Sequence, residues 1–326
     1  MKISRKFCVA PMLDWTDRHC RYFLRLISQH SVLYSEMITT GAILYGDTER
    51  HLAMSAQEQP VALQLGGSDP KDLAAACKIA DNYAYSEINL NCGCPSDRVQ
   101  NGMFGAVMMK NAKITADCVA AMIDATTLPV TVKHRIGVDD FDSYDFLCQF
   151  VGTVAESGCS TFLVHARKAW LQGLSPKQNR EVPELNYDRV YQLKKDFPDL
   201  EFIINGGIST LDESVTHLNN IDGVMLGREA YTNPYILSQV DRIIYGDEKP
   251  IKTREKIAEE FVEYVDNEMA KGVKLNAMTR HILGLYHGMP GARQFRRHIS
   301  ENAYKSTATI DVLINALKFT SGASTR

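Results

Sequence analysis

Short β-branched or apolar runs at residues 7–12, 32–38, 61–66, 86–91, 130–136, 161–167, 201–206 and 223–227 read as eight strands. Between them, stretches such as 69–83, 114–127, 143–158 and 211–220 carry apolar positions at helical spacing and open at Asp, Ser or Thr, which cap helix N-termini. Eight strands alternating with helices over roughly 240 residues have the length and rhythm of a parallel (β/α)8 TIM barrel. A doubly wound open sheet is the competing arrangement, but no Gly-x-Gly-x-x-Gly follows the first strand. Past residue 245 the strand pattern stops. The tract 245–253 reads as a linker, and helical periodicity resumes at 254–272, 275–288, 292–305 and 310–319. The pattern therefore predicts a barrel over 1–245, an all-α helical bundle over 246–320 and a disordered tail at 321–326.

Composition adds bounds to this frame. At 45% hydrophobic the chain can bury a large core. No window holds 18 consecutive apolar residues and the start lacks an apolar signal core, so a cytoplasmic protein with no membrane partner is expected. Eight cysteines, scattered singly except for Cys92 and Cys94, read as reduced thiols. Charge is uneven: residues 251–326 carry 12 Lys+Arg against 8 Asp+Glu, a net +4 in a chain of net −3. Within 274–305, Lys274, Arg280, Arg293, Arg296, Arg297 and Lys305 face the single acid Glu301. A polyanion suits that surface; a merely solvated helix face would account for the charge equally well.

In a barrel the functional face is built from the C-terminal strand ends. Polar groups collect there: Gln64 on the third strand, Asn89 and Asn91 on the fourth, Lys133 and Arg135 on the fifth, His165 and Arg167 on the sixth, with Pro11-Met12 ending the first. Strands seven and eight run into Asn205-Gly206-Gly207 and Gly227-Arg228, turns whose backbone N–H groups suit a phosphate and whose missing Cβ lets a ligand approach. Beside them Gln64, Lys133 and His165 can hydrogen-bond a planar ring, so flavin mononucleotide (FMN) is the expected occupant.

The loop NLNCGCPSDRVQNGMFGAVMM at 89–109 brings two cysteines one residue apart. No second pair of Cys or His stands at zinc-site spacing, so no metal is expected, and a disulfide across one residue would be strained. A glycine-rich turn presenting a thiol remains, with Pro95 fixing the backbone. An ordinary thiol is mostly protonated at neutral pH and can act as acid or nucleophile.

Taken as a set, A-P-M, N-L-N-C-G-C-P-S, G-A-V-M-M, V-K-H-R-I-G, L-V-H-A-R, N-G-G-I and G-R-E-A resemble the tRNA-dihydrouridine synthases, and the loop V-H-A-R-K-A-W-L-Q-G-L-S-P-K-Q-N-R is similar to that of the A-type bacterial subfamily. The likeness covers essentially the whole chain. The visible departure is G-A-V-M-M, where many relatives have Leu before the last Met, a swap that costs little in an apolar site. The resemblance implies FMN-dependent reduction of the C5–C6 bond of D-loop uridines 20 and 20a in tRNA, with NADPH as electron donor. Carried over, Cys94 is the proton donor and Cys92 a packing residue. Pro11, Met12, Leu13, Gln64, Lys133, His165, Asn205, Gly206, Gly207, Gly227 and Arg228 are implied to hold FMN. Asn91 is implied to hold the uracil edge, and Gln178, Glu181, Arg293 and Arg296 to contact the RNA. Two rivals share part of the pattern: an FMN barrel reducing a free pyrimidine or small enone, and a flavin-free RNA-binding scaffold.

Overall fold

The apolar strand runs all form strands, and each is buried on both faces, as a parallel sheet sheathed by helices requires. The computed structural model describes residues 3–96, 99–100 and 102–320; the tail expected at 321–326 lies outside the described residues. Strands β1 (Phe7–Val9), β2 (Val32–Thr39), β3 (Val61–Gly66), β4 (Glu87–Cys92), β5 (Val130–Arg135), β6 (Thr161–His165), β7 (Glu201–Asn205) and β8 (Gly223–Leu226) pair in sequence order. β1 returns to β8 through Cys8 opposite Met225, closing a parallel barrel. The expected TIM barrel is the observed fold.

The helices between strands begin where polar caps allow. Asp69, Asn111, Ser143 and Thr210 each accept a backbone N–H at the start of Pro70–Ala80, Ala112–Ala125, Tyr144–Glu156 and Leu211–Leu218. Inside the barrel, Cys8, Val32, Tyr34, Ala62, Leu163, Ile203 and Met225 fill the core. A charged layer closes the barrel floor: Arg5 Nε donates to Glu87 at 2.6 Å and its Nη1 to Glu201 at 2.8 Å, while Tyr34 and Thr131 hydroxyls each donate to Glu87 Oε1 at 2.6 Å. Glu87 is fully buried, so removal of Arg5 would strand its charge at a cost of about 3–5 kcal/mol.

The described chain divides into two compact units, residues 3–14 with 32–227 and residues 15–31 with 228–320. The first is the barrel, ending at Gly227 rather than near residue 245. The second takes in the first helix, Arg18–Ile27, together with Arg254–Ala270, Leu275–Thr279, Ala292–Asn302 and Asp311–Leu317. Asp17 ties this unit together. Its carboxylate caps Arg18–Ile27 through the N–H of His19 and Cys20 and also meets Arg280 and His281. Although burial pushes that carboxyl up, the His281 hydrogen bond and charge hold it well below the usual carboxylate range. Tyr22 stacks on Tyr264 at 3.8 Å and Phe23 packs on Phe261, so the segment belongs here despite standing more than 200 residues away in sequence. No helix of the described residues is long and apolar enough to cross a membrane.

Candidate active site

Polar side chains on buried strands must satisfy one another, and at the C-terminal mouth of the barrel they do so in a line. Asn89 Nδ2 donates to Thr131 Oγ1, Gln64 Nε2 to Asn89 Oδ1, and Asn91 Nδ2 to Gln64 Oε1, each at 2.8 Å. Asn91 Oδ1 then accepts the backbone N–H groups of Gly93 and Cys94, both at 3.0 Å. β4 therefore ends by folding its backbone over its own last asparagine. That turn lifts Cys94 into partial exposure, with its Sγ 3.5 Å from Ser96 Oγ. Cys92 points the other way, fully buried, and burial pushes its thiol well above the ordinary range. All eight cysteines are free thiols, and among the described residues no cluster of His, Cys, Asp and Glu could hold a metal.

Opposite the thiol turn the mouth is cationic. Lys133 is in register with Asn91, and Arg135 with His165, so strand pairing itself aligns these groups. Lys133 Nζ donates to Asn205 Oδ1 at 3.1 Å, Asn205 Nδ2 donates to the Met225 carbonyl, and no carboxylate pairs with Lys133 among the described residues. Burial, with Arg135 close by, pushes the Lys133 ammonium down to about 7. Burial and the cations Arg135, Lys133, Arg167 and Arg180 push His165 well below its ordinary value, so it is neutral at pH 7. Because His165 Nδ1 accepts the Arg167 N–H at 3.3 Å, its proton sits on Nε2.

Arg135, only 4% exposed, spends its guanidinium on three backbone carbonyls, those of Gly93, Lys168 and Asn179, at 2.9–3.0 Å. It thus pins the thiol turn to the loop after β6. Gln100 makes a second tie, donating to the carbonyls of Pro95 and Leu171. Fully buried Asn179 organises that loop by bonding Trp170, Leu174 and Ser175. Gln100 and Asn179 are absent from the residues singled out in the sequence, whereas Arg135 stands there as a polar strand end, two positions after Lys133 and so on its side of β5. The polar strand ends read from sequence also skip β2, where Glu36 accepts the N–H of Asp14, a residue at φ +63°, and so holds the turn carrying Pro11, Met12 and exposed Leu13.

The glycines differ in what they require. Gly206 and Gly207 adopt φ +118° and +72°, which L side chains rarely adopt; a Cβ on Gly207 would also lie 2.6 Å from Leu185 Cδ1. Their backbone explains them without any ligand. Gly227 has no such need: a Cβ there would meet only Ala10 Cβ at 3.8 Å and Met12 Sδ at 4.0 Å. It leaves a hollow beside Met12 that a side chain would fill. Of the remaining candidates, Gln178 and Glu181 are exposed on the loop after β6, where Gln178 Oε1 accepts the Ser175 N–H. Arg228, Arg293 and Arg296 are exposed in the second unit.

A parallel eight-stranded barrel with an amide line, a thiol turn and, among the described residues, a lysine without an acid partner at its C-terminal mouth is the frame of a barrel oxidoreductase. The chain belongs to the dihydrouridine synthase family, whose description, "Dihydrouridine synthase (Dus)", matches residues 8–321. It is 59% identical over 316 residues to the tRNA-dihydrouridine(20/20a) synthase of Escherichia coli (strain K12), covering 97% of this chain and 91% of that one. Its identity to the Vibrio cholerae serotype O1 protein of the same name is 58% over 318 residues, covering 97% of each. Among solved structures, a 2-naphthoyl-CoA reductase–2-naphthoyl-CoA complex aligns with TM-score 0.58 at 9% identity, covering 74% of this chain and 51% of that chain. Morphinone reductase aligns with TM-score 0.52 at 12% identity, covering 77% and 88%. At such identities these two share the fold alone.

Proposed function

We propose that this protein reduces uridines 20 and 20a of the tRNA D-loop to dihydrouridine in the cytoplasm, with FMN, NADPH and Cys94 as the chemical parts. The observation that carries this reading is the Cys94 turn: a part-exposed thiol, its backbone clamped by Asn91, at the mouth of a barrel that also offers Lys133. The names of the relatives supply tRNA and the positions 20 and 20a as the expected substrate.

The mouth fits an anionic planar cofactor. Among the described residues Lys133 has a single hydrogen bond and no acid partner, neutral His165 keeps a proton on Nε2, and Gly227 leaves its hollow. Lys133, Gln64, His165 and Asn205 would hold the ring of FMN, with Pro11, Met12 and Leu13 against it; Gly206, Gly207, Gly227 and Arg228 would take its phosphate. When bound, FMN supplies hydride to uracil C6 and recovers its electrons from NADPH. Everything else falls to the chain. Cys94 Sγ–H delivers a proton to C5, so that two hydrogens add across the double bond, and the resulting thiolate is reprotonated from solvent, to which the turn is open. Asn91 steadies the base. A stacked uracil must be swung out to reach the mouth, at a cost of about a few kcal/mol, which RNA contacts elsewhere offset. Arg293, Arg296, Gln178 and Glu181 are the residues to which we give those contacts.

The test is a pair of cysteine variants. Cys94→Ala should keep reduction of its bound flavin by NADPH while dihydrouridine formation falls about 100- to 10,000-fold. Cys92→Ala should form dihydrouridine near the wild-type rate. Equal losses in the two variants would end the single-acid reading. In tRNA from a strain lacking the gene, dihydrouridine should be missing at positions 20 and 20a.

A further inference from the structure

The amide line at the mouth does not end at Asn89. Thr131 Oγ1, which accepts from Asn89, itself donates to Glu87 Oε1 at 2.6 Å, so one chain of hydrogen bonds runs from the buried barrel-floor carboxylate through Thr131, Asn89, Gln64 and Asn91 to the backbone of Cys94. Its direction is forced from both ends. At the top, the N–H groups of Gly93 and Cys94 can only donate, so Asn91 must turn its oxygen to them and its NH2 to Gln64. Gln64 then has to offer its oxygen to Asn91 and its NH2 to Asn89, and Asn89 its NH2 to Thr131. At the bottom, Glu87 Oε2 is taken up by Arg5, and Oε1 accepts the hydroxyls of Thr131 and Tyr34. Every link donates toward the carboxylate, and bonds aligned in this way polarise one another. Reversing any one amide would set two donors or two acceptors face to face.

We infer that Thr131 and Asn89 are positioning residues: through them the Glu87 carboxylate fixes which face Gln64 and Asn91 present at the mouth, and with it the place of the Cys94 turn. The chain uses one N–H of the Asn91 amide, so what that residue has left for a base is a donor suited to a carbonyl oxygen, the group on a uracil edge where cytosine carries an amino group. The inference rests on the proposed role of Cys94 for its consequence in catalysis, but the hydrogen-bond chain is testable without it.

Thr131→Val keeps the shape of the side chain and removes the hydroxyl, leaving Asn89 without its acceptor. Thr131→Ser restores the link. Asn89→Asp cuts the same link from the other side, since a carboxylate accepts from Gln64 but has nothing to donate to Thr131. Amide hydrogen exchange in the flavin-free protein should show Gly93 and Cys94 exchanging about tenfold faster in Thr131→Val and Asn89→Asp, with amides of β7 unchanged and Thr131→Ser like the wild type. In single turnover with pre-reduced enzyme, the same two variants should form dihydrouridine about tenfold or more slowly, with the tRNA dissociation constant unmoved, since a misplaced reacting group costs rate rather than binding. Wild-type exchange at Gly93 and Cys94 in both variants, or equal acceleration throughout the barrel, would overturn the inference. If Cys94→Ala reduces uridine at the wild-type rate, the catalytic reading fails while the exchange result still decides the hydrogen-bond chain.

Discussion

Lys133 is the residue at which the charge of this site is decided. Burial lowers its ammonium to about 7, against an unfolded lysine value of about 10.4. Between those limits the native protein binds one proton fewer than the unfolded chain, so this group makes the stability of flavin-free protein rise as pH increases from 7 toward 10. Below pH 7 the native state carries the cost of a half-buried cation. An anion bound beside Nζ reverses the balance by drawing the proton back. FMN binding at pH 8 should therefore take up a proton, seen by calorimetry as a binding heat that depends on the ionisation heat of the buffer, and the FMN dissociation constant should rise with pH above 7. Lys133→Met should abolish both the uptake and that pH dependence. A wild-type protein that binds FMN at pH 8 without proton uptake would remove Lys133 from the cofactor's surroundings.

The strand ends and turns carry the next level of the design, and they separate what a sequence discloses from what it conceals. The eight strands were legible because a strand buried on both faces is an unbroken apolar run, and the Lys133, His165 and Asn205 positions were legible because their polarity interrupts such runs at one end. The line from Glu87 to Cys94 was not, since all but its last link are contacts between neighbouring strands whose register only the closed barrel fixes: Gln64 opposite Asn89, Asn89 opposite Thr131. Arg135 reads as one more polar strand end, yet its three acceptors are backbone carbonyls, which carry no signature in sequence. Residues 15–31 sit between two strands and read as barrel, whereas Asp17, Tyr22 and Phe23 have their partners beyond residue 260. The glycine turns were legible as glycines but not as two kinds. Gly227→Val should fold like the wild type and purify with much less FMN, because its side chain would occupy only the hollow beside Met12. Gly206→Ala should instead lower stability by more than about 1 kcal/mol, since φ +118° is unsuited to a side chain. Full FMN content in Gly227→Val, measured by absorbance after denaturation, would move the phosphate elsewhere.

Over the whole molecule, charge and substrate have to be reconciled, because a chain of net −3 is proposed to hold a polyanion. The helix Ala292–Asn302 resolves this locally. It buries Ala292, Phe295 and Ile299 and turns Arg293, Arg296 and Arg297 outward. Arg297 is already engaged by Glu301 at 2.7 Å, whereas among the described residues no acid pairs with Arg293 or Arg296. These two stand three apart and share a face, so one stretch of phosphates can meet both. Each phosphate neutralised releases condensed counterions and adds about 0.7 to 0.9 to the steepness with which affinity falls in a plot of log K against log salt. If Arg293 and Arg296 each hold one phosphate, the double alanine variant should bind tRNA more weakly at low salt, with a slope shallower by about 1.5. Reduction of its bound flavin by NADPH should proceed at the wild-type rate, because that half-reaction involves no RNA. Replacing Arg297 alone should change the slope less, since its charge is already partly neutralised by Glu301. A double variant with wild-type affinity and slope would take this helix out of the RNA interface and leave the loop bearing Gln178 and Glu181 to account for tRNA binding.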